Sequence, residues 1–71
     1  MNSYILFYSS NYAIWAENIL KDDGIECRLI SVPREISSDC GYCLKIALEL
    51  KSRARVVLEK KRVPIDKIVD L

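Results

Sequence analysis

No histidine occurs in this 71-residue chain. The commonest general base and metal ligand is therefore missing, and Ser–His or Cys–His mechanisms within the chain are excluded. Cysteine is scarce and odd in number, three in all, so the closed disulfide framework of small secreted domains is not available and at least one thiol stays free. No apolar run approaches the ~18 residues that span a bilayer, and the opening Met1-Asn2-Ser3-Tyr4 carries no basic n-region. A cytoplasmic location without a membrane partner is the expectation. Nor is there an excess of one charge: 11 basic against 10 acidic residues leave +1, too little for a general attraction to nucleic acid or anionic lipid.

What is present builds one domain over residues 1–71. Apolar residues at 51% and charged residues at 30% fit a folded chain, although one this short buries only about 60% of its unfolded surface. Tyr4-Ile5-Leu6-Phe7-Tyr8 is an uncharged run that reads as a central strand. Ser9, Ser10 and Asn11 offer N-cap oxygens to a helix whose apolar stripe is Tyr12, Ala13, Ala16, Ile19 and Leu20, with Gly24 as its stop. On that wheel Ile14 points away from the stripe and Trp15 lies at its edge.

Ile25, Cys27 and Leu29 alternate with Glu26 and Arg28 as a half-buried strand. Tyr42 to Leu48 alternates again, with Leu44, Ile46 and Leu48 on one face and Cys43, Lys45 and Ala47 on the other. Leu50, Ala54, Val57 and Leu58 mark a second helix from about Glu49 to Arg62, ended by Pro64, and Ile65 to Leu71 close as a last strand. The order predicts an α+β domain of ferredoxin-like split βαβ plan (βαββαβ), with both helices on one face of a four-stranded antiparallel sheet. Right-handed crossovers would bring the loop after the second strand to the start of the first helix and the end of the second.

That loop, Val32-Pro33-Arg34-Glu35-Ile36-Ser37-Ser38-Asp39-Cys40-Gly41, is the one chemically loaded segment. Pro33 sets an extended turn, and Gly41 removes a side chain where another group would need close approach. Together with Gly24-Ile25-Glu26-Cys27-Arg28-Leu29-Ile30, Ala16-Glu17 and Leu20-Lys21, it makes the chain resemble the Se/S carrier protein-like domains of bacteria over nearly its whole length. The resemblance implies a noncatalytic protein without a resident cofactor or metal. Its loop cysteine, here Cys40, would hold sulfur or selenium as a persulfide or selenosulfide. Pro33, Arg34, Ser37, Ser38, Asp39 and Gly41 would form the supporting loop. Protein partners such as a cysteine desulfurase or a selenium-handling enzyme follow from that role, and a homo-oligomer is compatible with it. Cys43 and a more basic second helix depart from the pattern.

A carrier thiol needs thiolate character and open access. The helix start and Arg34 would favour the anion, whereas Asp39 would oppose it. Cys40-Gly41-Tyr42-Cys43 also has C-x-x-C spacing, with Cys43 as a second thiol, but it leads into a strand where redox pairs open a helix. Three cysteines without histidine leave a tetrahedral zinc site one ligand short, and Cys27 belongs to a buried alternation. The six basic residues between Lys51 and Arg62 read as a solvated helix whose last turn suits its dipole. RNA binding is disfavoured, because the third strand has no central aromatic on which a base would stack. The competing reading is a plain interaction or regulatory domain using Trp15 or the basic helix.

Overall fold

The computed structural model describes residues 1–36 and 41–71. In chain order the elements are β1 (Asn2–Leu6), α1 (Ser10–Asp22), β2 (Arg28–Ser31), β3 (Tyr42–Ala47), a 3-10 turn (Leu48–Leu50), α2 (Lys51–Lys60) and β4 (Lys67–Asp70). Every neighbouring pair of strands is antiparallel, in the sheet order β2-β3-β1-β4. The class is α+β, as the element succession predicts.

Side-chain parity decides what the sheet buries. Leu29, Leu44, Ile5 and Ile68 lie side by side across the four strands, and Ile46 follows two residues along β3 on the same face. That face packs against Ala13, Ala16 and Leu20 of α1 and Ala54 and Leu58 of α2 in one apolar cluster. Leu44 and Ile46 thus lie under the helices as the alternation requires, and Lys45 points to the opposite side between Arg28 and Tyr4. Leu48 departs from the expectation. Its partner strand β1 starts at Asn2, so the ladder has run out, and Leu48 turns into the 3-10 segment with its amide donating to the Met1 carbonyl at 3.3 Å.

Both helices close with the same backbone device. In α1 the Ile25 amide donates to the Leu20 carbonyl at 2.8 Å and the Gly24 amide to the Lys21 carbonyl at 3.0 Å, while Gly24 takes φ 75°. This is a Schellman ending with buried Leu20 and Ile25 as its hydrophobic contact. In α2 Val63 donates to Leu58 and Arg62 to Glu59, both at 3.0 Å. Here the left-handed position is filled by Arg62 at φ 60°, so α2 stops before Pro64 is reached.

Because β3 is antiparallel to both β1 and β2, those two strands run the same way. The C-terminal ends of β1 and β2 therefore share one end of the sheet with the starts of β3, β4 and α1. The β2–β3 connection is held at that end.

Candidate functional site

A crevice of about 550 Å³ opens at this end, lined among others by Tyr8, Ser9, Ser10, Val32, Gly41 and Tyr42. Ser9 is the N-cap of α1, with extended backbone (φ −151°, ψ 160°) and a side chain that accepts from the Tyr12 amide at 3.4 Å. The amides of Ser10 and Asn11 belong to the first turn, where a helix supplies no acceptor, and the dipole adds partial positive charge. Facing them is the neck of the β2–β3 connection. The Val32 amide donates to the Gly41 carbonyl at 3.0 Å, which fixes where the loop leaves and returns.

Gly41 has φ 148°, a conformation that L side chains rarely adopt, and a Cβ built on it would lie 3.8 Å from Ser10 Oγ. Space is therefore adequate, and the backbone conformation is what calls for glycine. On the outgoing side Pro33 starts a turn in which its carbonyl accepts from the Ile36 amide at 3.0 Å. Pro33 is half-buried and Arg34 exposed. Ser37, Ser38, Asp39 and Cys40 lie outside the described residues. Of the loop positions singled out in the sequence, those described are thus Pro33, Arg34 and Gly41, and Gly41 lines the crevice.

The other two thiols are buried. Cys27 sits in the helix-side cluster, and desolvation, reinforced by the negative charge of Glu17, pushes its pKa up against an opposing pull from Lys21. Cys43 lies on the other face of the sheet between Leu6 and Ile30. It is fully buried, and desolvation raises its pKa too. Both are held as neutral thiols near pH 7. Among the described residues no three histidine, cysteine or acidic side chains converge as a metal would require.

The sequence did not single out Tyr8, Tyr42, Asp66 or Lys67 as site residues, and all four line the crevice. Tyr8 and Tyr42 are 68% and 47% exposed. Tyr8 reads as the end of an apolar strand, but β1 stops at Leu6, and the overrun carries its ring to the rim. Asp66 arrives through a tertiary hydrogen bond, its amide donating to the Leu6 carbonyl at 2.8 Å. No local pattern announces that contact.

The residue-by-residue resemblance is matched by a family model. The family described as Putative Se/S carrier protein-like covers residues 2–70. The chain belongs to this family. No curated protein and no solved structure matches it. Seen across the family domain, the crevice faces the two ends of the segment in which Cys40 stands, Val32 and Gly41.

The surfaces invoked by the competing reading are also placed. Ile14 and Trp15 are each 44% exposed, so α1 shows two large apolar side chains to solvent. The basic second helix is ion-paired over its first half, whereas Lys60, Lys61 and Arg62 make no ion pair among the described residues. Lys51 pairs with Asp70 at 2.8 Å, Arg55 with Glu59 at 3.4 Å and Arg53 with Asp23 at 3.9 Å. Among the described residues no helix is long and apolar enough to cross a membrane.

Proposed function

We propose that the chain is a noncatalytic carrier that accepts one zero-valent sulfur or selenium atom on Cys40 and hands it between partner enzymes in the cytoplasm. The observation that carries this reading is the loop neck. Val32 and Gly41, the two ends of the cysteine-bearing connection, are bonded to each other beside the first turn of α1, where an anionic sulfur is favoured. The family description supplies the cargo. A ferredoxin-like domain is the matching frame, supported by the βαββαβ succession, the order β2-β3-β1-β4 and the packing of both helices on one sheet face.

Loading balances without an oxidant. The Cys40 thiolate attacks the outer sulfur of a donor persulfide, a new S–S bond forms, and the old one breaks with its electron pair leaving on the donor thiolate. Delivery is the same exchange with an acceptor thiolate attacking the outer atom on Cys40. Selenium follows an identical course from a donor selenosulfide. In this reading Cys40 is the carrier thiol, and Pro33, Arg34, Ser37, Ser38, Asp39 and Gly41 are its supporting loop by sequence. The donor is a cysteine desulfurase or a selenium-handling enzyme. Buried Cys43 is poorly suited to resolve a disulfide with Cys40, since a thiol at zero exposure needs the sheet to open before it reacts.

The test is intact-protein mass spectrometry after incubation with a cysteine desulfurase and cysteine, with selenium donors in parallel. A reducible gain of one sulfur mapped to Cys40 is expected. Sulfur elsewhere or nowhere would sink the carrier role. A second reading, an interaction domain, is favoured by the joint exposure of Ile14 and Trp15. It would stand if Cys40→Ser left partner binding and cellular function intact.

A further inference from the structure

The helix-free face of the sheet carries positive charge that makes no ion pair among the described residues. Its central row runs Arg28, Lys45, Tyr4, Val69 across β2, β3, β1 and β4, and Lys67 follows beside Leu6 in the next row. Two cations stand directly opposite each other at Arg28 and Lys45, an arrangement that costs stability in an antiparallel pair. No carboxylate occupies the row. Glu26, exposed and two residues before Arg28, is the acid that flanks it, and among the described residues it makes no ion pair.

Cations on edge strands often serve to prevent edge-to-edge pairing. That accounts for Arg28 on β2 and Lys67 on β4. It does not account for Lys45, because β3 is an interior strand with no edge to protect. Lys45 is moreover half-buried, and the residues beside it across the ladder, Arg28 and Tyr4, offer it no carboxylate. On α2 Lys51, Arg53 and Arg55 each meet an acid while Lys60 does not; on the sheet face Arg28, Lys45 and Lys67 meet none among the described residues.

We propose that this face is a docking surface for an acidic protein, with Arg28 and Lys45 pairing to its carboxylates and Tyr4 and Val69 giving apolar contact. A protein partner suits the surface better than RNA does. Among the described residues of these rows Tyr4 is the one aromatic ring, too few for a stacking platform, while arginine and tyrosine are enriched at protein interfaces. Seating there also leaves the crevice end open, and β2 and β3 frame the Cys40 loop, so a docked acidic enzyme would stand beside the carrier site. In that respect the inference rests on the carrier reading; the surface itself does not.

The probe is a polyglutamate peptide titrated into the isotope-labelled chain at low salt and followed by amide chemical shifts. Shifts centred on Tyr4, Arg28, Lys45 and Val69 that fade with salt are expected. Arg28→Glu with Lys45→Glu should weaken binding roughly tenfold or more, and Arg28→Gln with Lys45→Gln should weaken it less, each with unchanged circular dichroism. Three results would overturn the proposal: no binding, shifts centred on Lys60 to Arg62, or tighter binding of a single-stranded oligonucleotide to the same face. Sulfur loading of Cys40 by a small-molecule persulfide is measured separately on the same variants. Failure of loading in the wild-type chain removes the carrier reading, whereas failure of peptide binding removes only the docking face.

Discussion

The buried hydroxyl of Ser3 donates to Asp70 Oδ1 at 2.7 Å, and the other carboxylate oxygen takes Lys51 Nζ at 2.8 Å. One acid therefore ties the last strand to the first strand and to the start of α2, at the end of the sheet opposite the crevice.

This tie makes stability depend on acid. The hydrogen bonds from Lys51 first and Ser3 second hold the Asp70 pKa below the ordinary carboxylate value. Its contribution is fully present above the unfolded-state pKa and is lost as pH falls through the lower folded value. Urea unfolding from pH 6 downward should show a loss of stability that Asp70→Asn reduces. An identical acid profile in wild type and variant would rule out this role.

Core and surface on β3 should part sharply. Leu44 is fully buried between the helices and its strand neighbours, so Leu44→Ala should cost about 2–5 kcal/mol in chemical denaturation. Lys45→Ala, one residue away on the other face, should change stability by about 0.5 kcal/mol or less. It also removes the repulsion with Arg28.

Two of the positive-φ positions, Gly41 and Arg62, should respond in opposite directions. Gly41→Ala leaves room for the methyl but strains the backbone, so a loss of about 1 kcal/mol and faster amide exchange at Val32 are expected. Arg62→Gly relieves a left-handed arginine at the end of α2 and should raise stability by up to about 1 kcal/mol.

Thiol reactivity should rank Cys40 first. Cys27 and Cys43 are buried with raised pKa values, and under native conditions both should alkylate slowly, at rates that rise with denaturant. Arg34→Ala should slow the reaction of Cys40 and Asp39→Asn should speed it. Peptide mapping after timed iodoacetamide treatment reads all three. Equal rates for Cys40 and Cys43 in the folded chain would refute the ranking.

The sequence by itself determined what short-range periodicity encodes. Four strands and two helices, the stripe Ala13, Ala16 and Leu20, the parity of Leu44 and Ile46 against Lys45, and the stop at Gly24 all follow from repeats of 2 or 3.6 residues and from backbone-permissive residues. The loop from Val32 to Gly41 was legible too, through its residue types. Tertiary structure alone decided which charges neutralise one another and which rings rim the crevice. Lys51 meets Asp70, Arg53 meets Asp23, and Asp66 bonds to Leu6 across separations that no local window spans. Burial of Cys43 on the helix-free face and the cation pair Arg28 and Lys45, without an acid among the described residues, belong to the same class. Strand order and register create them, and these emerge only when chain segments far apart in sequence bury their apolar faces together.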